Sequence, residues 1–265
     1  MHPHSSSRLS LLFITSLALA ITACGSKQKQ SEEQIIVQSE PSVQLHDSLL
    51  VNTVRVNRSL DQLMVKPHTV VLTGMARHRL VTVYKNSPIR ASEDSYSSRM
   101  YPESASVSSE YAEHYMPGID LLYGYNLLSV GHYDMVAEKL NFLFDHPVLV
   151  KSLYYPSFVQ DSLYKKTISR NYFLVSVYDQ DTNGDTLINR HDLRRFYHFN
   201  EACSERMQLV PADYSVSSSE YDPMNDVMYV YAIHDANKNG KIDKNEPKHI
   251  FWINLRQPAP AKRLY

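Results

Sequence analysis

The sequence predicts an all-β protein of antiparallel, four-stranded, blade-like repeats, with a β-sandwich made of hairpins as the alternative. Three observations point there. Nineteen tyrosines in 265 residues, and few long alanine- or leucine-rich periodic stretches, tilt the chain toward β structure. Short runs dense in β-branched and aromatic residues recur along it. A displacement of 54 residues carries Asp181 onto Asp235, with matching runs before and after each.

The elements follow in chain order. The first unit is read from Pro67–Leu72, Arg79–Tyr84, Asn126–Val130 and Lys139–Phe144. The second opens at Pro147 and runs through Tyr154, then Tyr172–Tyr178 and Phe196–Phe199. The third opens at Pro211, leads into Tyr214–Ser217, and continues with Met228–Ile233 and Ile250–Ile253. The units are bounded at about 67–146, 147–210 and 211–265, within a β-rich repeat domain at 43–265. Tandem four-stranded units of about 50 residues are the signature of β-propeller blades, but propellers take four to eight of them. Three units therefore imply an open array, a ring completed by other protomers, or extra strands from Val43–Val65. Residues 86–118 are serine-rich and read as a surface loop within the first unit, with Glu110, Glu113 and His114 its pointed side chains.

Twelve-residue polar loops link the second and third runs of the later two units. In Asp235–Glu246, oxygen side chains stand at positions 1, 3, 5, 9 and 12: Asp235, Asn237, Asn239, Asp243 and Glu246. Gly240 takes the sharp turn at position 6, Lys241 offers its carbonyl at 7, and Ile242 is apolar at 8. In Asp181–Asp192 the set is Asp181, Asn183, Asp185, the Leu187 carbonyl and the closing Asp192, with Ile188 at position 8. Calcium takes six to eight hard oxygen ligands, and this spacing lets one short loop wrap the ion. Asp179 stands just before the earlier loop, as an added ligand or a flank.

Both loops resemble the EF-hand calcium loop, which implies Ca2+ as the cofactor. The earlier one departs at Thr186, in place of glycine, and at Asp192, one methylene shorter than glutamate. Their flanks are β-type rather than helical, and Pro247 directly follows the later loop, so each reads as a hairpin tip. The whole resembles TolB-type propeller blades with EF-hand-like loops inserted between the second and third strands.

The N-terminus reads as a targeting segment. Leu9–Ala23 is apolar, Ser or Thr, too short to span a bilayer and suited to a signal-peptide core. Ile21-Thr-Ala-Cys24 resembles the lipobox of bacterial lipoproteins, which implies a signal peptide at 1–23 and acylation at Cys24. Residues 24–42 read as a flexible polar tether. Gly25 is not the aspartate of inner-membrane retention, so the resemblance implies an outer-membrane address in the cell envelope, periplasmic or surface-facing.

A formal net charge of −1 gives no pull toward nucleic acid. With Cys24 acylated, Cys203 alone remains, so no intrachain disulfide is available. No Gly-x-Ser-x-Gly, His-Glu-x-x-His, P-loop or dinucleotide pattern occurs. His132 and Asp134, on one side of a strand, are the best candidate for acid–base chemistry. His191, His198, His234 and His249 fall near the loops, but calcium prefers oxygen. The expectation is a non-enzymatic, calcium-binding, lipid-anchored extracytoplasmic β-domain with a structural or binding role. The alternatives are an envelope hydrolase with its site at the centre of the β assembly, or a scaffold subunit of an envelope complex. The partners expected are the membrane through the N-terminal lipid and a second copy of the chain or an envelope protein.

Overall fold

The computed structural model describes residues 53–56, 59, 63, 65–85 and 116–265. The targeting segment with Cys24, the tether and most of the 86–118 insertion, including Glu110, Glu113 and His114, lie outside the described residues. Among the described residues every regular element is a β-strand, all pairing is antiparallel, and no sheet closes into a barrel.

The strands are β1 (Val54–Arg55), β2 (Val65–Leu72), β3 (His78–Lys85), β4 (Ile119–Asp134), β5 (Lys139–Phe142), β6 (Leu149–Pro156), β7 (Asp161–Leu163) and β8 (Lys166–Ile168). They continue with β9 (Tyr172–Tyr178), β10 (Leu187–Ile188), β11 (Arg195–Asn200), β12 (Arg206–Gln208), β13 (Tyr214–Asp222), β14 (Val227–His234), β15 (Lys248–Asn254) and β16 (Lys262–Arg263). Four-stranded meanders are present: β2 to β5, then β6-β9-β11-β12, then β13 to β16. The first two do not stand apart as blades. β4 is long enough to pair with β5 at its end and with β6 at its start, which fuses them into one eight-stranded sheet. The third meander remains a separate four-stranded sheet.

Period-two alternation explains how the layers hold. On β9, Phe173, Val175 and Val177 enter one core, with Leu80, Val130, Leu153 and Phe199. Tyr172 and Leu174 face the opposite way, into a core shared with Val216, Met228, Val230, Phe251 and Ile253 of the four-stranded sheet. The large sheet is therefore buried on both faces where β9 runs, which is why β9 reads as an unbroken apolar run. A fully buried ion pair also joins the layers. Arg170 Nη2 lies 2.7 Å from Asp226 Oδ1, and Arg170 also donates to the carbonyls of Pro117 and Leu255.

Two further contacts set the two polar loops side by side. Arg194, just after the earlier loop, donates through its side chain to the Val216 and Ser217 carbonyls of β13. The Asp235 N–H, at the head of the later loop, reaches the Asp213 carbonyl at 2.8 Å.

Candidate metal centre

The two loops fold alike, position by position. The first aspartate accepts the N–H groups of positions 5 and 6 on its two oxygens. For Asp181 the donors are Asp185 (3.1 Å) and Thr186 (2.8 Å); for Asp235 they are Asn239 (3.0 Å) and Gly240 (2.9 Å). Position 3 accepts from position 5, at 2.9 Å for Asn183 and 3.0 Å for Asn237. Position 5 accepts from position 7, at 2.9 Å for Asp185 and 3.1 Å for Asn239. The closing carboxylate takes the N–H of position 2 on one oxygen and of position 9 on the other: 2.8 and 2.8 Å for Asp192, 3.0 and 2.9 Å for Glu246. The shorter aspartate thus closes its loop with the same bonds as the glutamate.

This web fixes the side-chain oxygens of each loop against the loop's own backbone N–H groups. In the later loop, positions 3, 5 and 9 meet, since Asn237 Nδ2 and Asn239 Nδ2 lie 2.9 and 2.7 Å from Asp243 Oδ2. Asp181 Oδ2, both Asp235 oxygens, Asp192 Oδ2 and both Glu246 oxygens accept one N–H each and keep a lone pair. Asp181 Oδ1, Asp192 Oδ1 and Asp243 Oδ2 accept two or more donors. The donor set of carboxylates, amides and the carbonyls of Leu187 and Lys241 is the hard-oxygen chemistry of calcium and not of zinc or copper. The residues present fit the ion. Among the described residues, no group of three or more His, Cys, Asp or Glu is gathered as a metal cluster.

The turn at position 6 shows what the sequence departure costs. Gly240 has φ +75°, a left-handed conformation that glycine adopts freely. Thr186 occupies the same position at φ +68°, where a β-branched residue is strained. Asp192 is buried, and that burial pushes its carboxyl above the ordinary range against the pull of its backbone donors.

Sequence reasoning left Thr182, at position 2, without a role. Its hydroxyl donates to the Gly240 carbonyl of the other loop, while its N–H is held by Asp192. Gly240 lies so close that a Cβ built on it would stand 1.7 Å from the Thr182 carbonyl oxygen and 2.9 Å from the Asn183 nitrogen. The loops touch backbone to backbone. A chain of bonds thus runs from Asp192 through Thr182 to Gly240, whose N–H returns to Asp235. No local pattern announces a contact across 58 residues.

The remaining candidates fall elsewhere. Asp179 is buried outside the loop; its Oδ2 accepts the Tyr197 hydroxyl at 2.7 Å and its carbonyl bonds His146 Nε2 at 2.8 Å. His132 and Asp134 have separate partners. His132 Nε2 lies 2.9 Å from His78 Nδ1 in the core, and Asp134 takes Arg77 on both oxygens at 2.8 and 2.6 Å. The Arg77 guanidinium holds the Asp134 carboxyl well below the usual range. His234 and His249 flank Tyr214 beneath the later loop, with His249 Nδ1 2.8 Å from the Tyr214 hydroxyl. His198 packs against the Tyr172 ring, and His191 lies on the rim between the loops. Burial drives the Cys203 thiol far upward, which makes it a poor nucleophile.

No protein-family model matches the chain, and no curated protein matches it, so the functional reading rests on this geometry and on the sequence.

Proposed function

We propose that the protein is a calcium-binding, lipid-anchored β-domain of the cell envelope with a structural or binding role. The observation that carries the calcium reading is the matching hydrogen-bond pattern of the two loops, each built on the oxygen side-chain spacing of a calcium loop. When bound, calcium would supply the positive charge that offsets three carboxylates in each loop. One loop follows β9 in the large sheet and the other follows β14 in the small one. Filling both would therefore brace the two sheets against each other at their tips.

Extracellular calcium modules bind with dissociation constants near roughly 10⁻⁴–10⁻³ M. At about 0.1 mM and about 1 mM free calcium, one site adds about 1.4 kcal/mol by mass action. Calorimetry should count two calcium ions per chain, and Asp235→Ala should reduce the count to one. A wild-type titration without heat, together with a melting temperature indifferent to chelator, would end the calcium reading. The lipid anchor is supported by the Ile21–Cys24 lipobox pattern. Cys24→Ser should release the protein from the membrane fraction, and retention there would count against it.

A second reading, a scaffold that joins copies of itself, has one observation in its favour. Cross-strand registers set Phe142, Gly131, Val81 and Val70 in one row, and Leu140, Tyr133, Arg79 and Leu72 in the next. Val70, Leu72, Leu140 and Phe142 are exposed there, with Met135 and Val136 beside them at the hairpin turn. Among the described residues the face ends at β2 as an edge strand, the geometry through which sheets of two copies join. A mass in solution that stays at one chain at high concentration would remove this reading.

A further inference from the structure

The strand ends away from the two polar loops carry apolar side chains on their turns. β6 begins opposite Tyr178, just before the earlier loop, and runs away from it to Pro156, ahead of a bend at Phe158 and Val159. β14 runs from Val227 to His234, so the β13–β14 turn with Met224 and the later loop stand at its opposite ends. The β7–β8 hairpin, which follows the bend, carries Tyr164 in its turn, and the Tyr164 hydroxyl donates to the Pro223 carbonyl beside Met224. Phe158, Val159, Tyr164 and Met224 are each at least half exposed, from 50% to 78%.

Much of the backbone of these turns is bonded within the protein. The Val159 N–H donates to Ser157 Oγ (3.2 Å), the Ser157 N–H to the Gly118 carbonyl (3.0 Å), and the Pro156 carbonyl accepts the Gly74 N–H (2.9 Å). Asp222 Oδ1 accepts the Met224 and Asn225 N–H groups at 2.8 and 3.3 Å. Polar groups satisfied internally lower the cost of entering an apolar phase. Charge adds a sign. Lys165 and Lys166 are exposed beside Tyr164, while the neighbouring carboxylates are engaged: Asp161 by the Gly118 and Ser162 N–H groups, Asp222 by its own turn, and Asp226 by Arg170.

We infer that these turns form a docking surface for an anionic lipid bilayer. Phe158, Val159, Tyr164 and Met224 enter the boundary between acyl chains and headgroups, where tyrosine is at home, and Lys165 and Lys166 meet lipid phosphates. This rests on the lipid-anchor reading above. Twenty-nine residues lead from Cys24 to Thr53, a reach of at most about 100 Å, so an acylated chain keeps the domain beside the bilayer. Apolar side chains on separate turns suit a fluid apolar phase, whereas a protein partner calls for a continuous packed surface. Four side chains do not hold the chain at the membrane without the anchor; what they set is its orientation. The two calcium-type loops then face away from the bilayer, about 26 Å further out, the length of the eight-residue β6.

The test places a nitroxide on the acylated protein in vesicles of phosphatidylethanolamine and phosphatidylglycerol. The sites are Val159→Cys and Met224→Cys, with Lys244→Cys on the later loop as reference; Cys203, whose thiol burial drives far upward, labels poorly. Each site is read by collision with oxygen, which concentrates among acyl chains, and with an aqueous nickel chelate. The Val159 and Met224 sites should favour oxygen over the chelate at least threefold more than the Lys244 site. Lys165→Gln together with Lys166→Gln, or phosphatidylcholine in place of phosphatidylglycerol, should lower the inserted-to-aqueous ratio at least tenfold. Equal accessibility at all three sites, or insertion indifferent to both the lysines and the lipid charge, would overturn the inference. Immobilisation of the Met224 nitroxide without vesicles would overturn it too, as the sign of a second copy at the turns. A purified chain whose mass shows no acyl group would instead remove the anchor reading, and the same depth measurement in excess vesicles then decides the docking by itself.

Discussion

Replacing Gly240 with alanine tests the pairing of the loops directly, because Gly184 provides an internal control. Both glycines sit in polar loops with left-handed backbones, φ +75° and +77°. An L-residue in that conformation costs about 1–2 kcal/mol at either site. The surroundings differ. Nothing lies within 4 Å of a Cβ built on Gly184, whereas one on Gly240 would strike the Thr182 carbonyl oxygen at 1.7 Å and its carbon at 2.3 Å. Those are backbone atoms, so no truncation of the Thr182 side chain relieves the clash. The loops must separate, with overpacking strain of about 1–3 kcal/mol and loss of the Thr182–Gly240 hydrogen bond, about 1 kcal/mol. For a domain of this size, each kcal/mol moves the melting temperature by about 2–4 °C. Gly184→Ala should thus lower the melt by a few degrees, and Gly240→Ala by about 6–12 °C or more, followed by calorimetry of the full-length chain in fixed calcium. Equal shifts would refute the loop–loop contact, and with it the coupled chain from Asp192 to Asp235.

Two other outcomes follow from single residues. Thr186→Gly relieves the strained left-handed turn while raising chain entropy, for a net gain of about 0.5–1 kcal/mol and a melt raised by about 1–4 °C; a lower melt would show that the threonine is not strained. His132 has its pKa lowered by burial first, then by His78, while Asp134 pulls it up and Arg77 presses it down. The unfolded chain therefore takes up this proton before the folded one does. Stability should be full above about pH 6.5, the ordinary histidine value, and fall as the pH drops through the folded value. The melt should decline from pH 7 toward 5, above the carboxylate range, and His132→Gln should flatten that slope; an unchanged slope would assign the decline to other groups.

The parts of the fold legible in the sequence are those where one segment carries its own signal. β9 is buried on both faces and reads as a continuous apolar run; the calcium-type loops announce themselves by oxygen spacing. The fusion of the first two meanders was not legible, because it depends on pairing across the chain. β4 runs for sixteen residues, yet Gly124, Asn126 and Gly131 break its pattern into shorter pieces. The β7–β8 hairpin was missed for a related reason. Its turn residues Tyr164 and Lys165 have φ +52° and +63°, where Asn-Gly is the usual signal.

The earlier loop shows how a sequence departure is supported from outside. Thr186 breaks the glycine rule, but its carbonyl accepts the Val56 N–H at 3.1 Å. The next two residues, Leu187 and Ile188, pair as β10 with Arg55 and Val54 of β1. Ile188 and Val54 are then buried with Leu128 and Leu149 of the large sheet. The strained turn is thus clamped by a strand that, among the described residues, the later loop does not have, and the later loop keeps its glycine. This arrangement makes β1 part of the earlier loop's scaffold. Anything that displaces β1 should act first on the earlier loop, through Thr186 and Ile188, and reach the later one afterwards, through the Thr182–Gly240 contact and through the Arg194 bonds to β13.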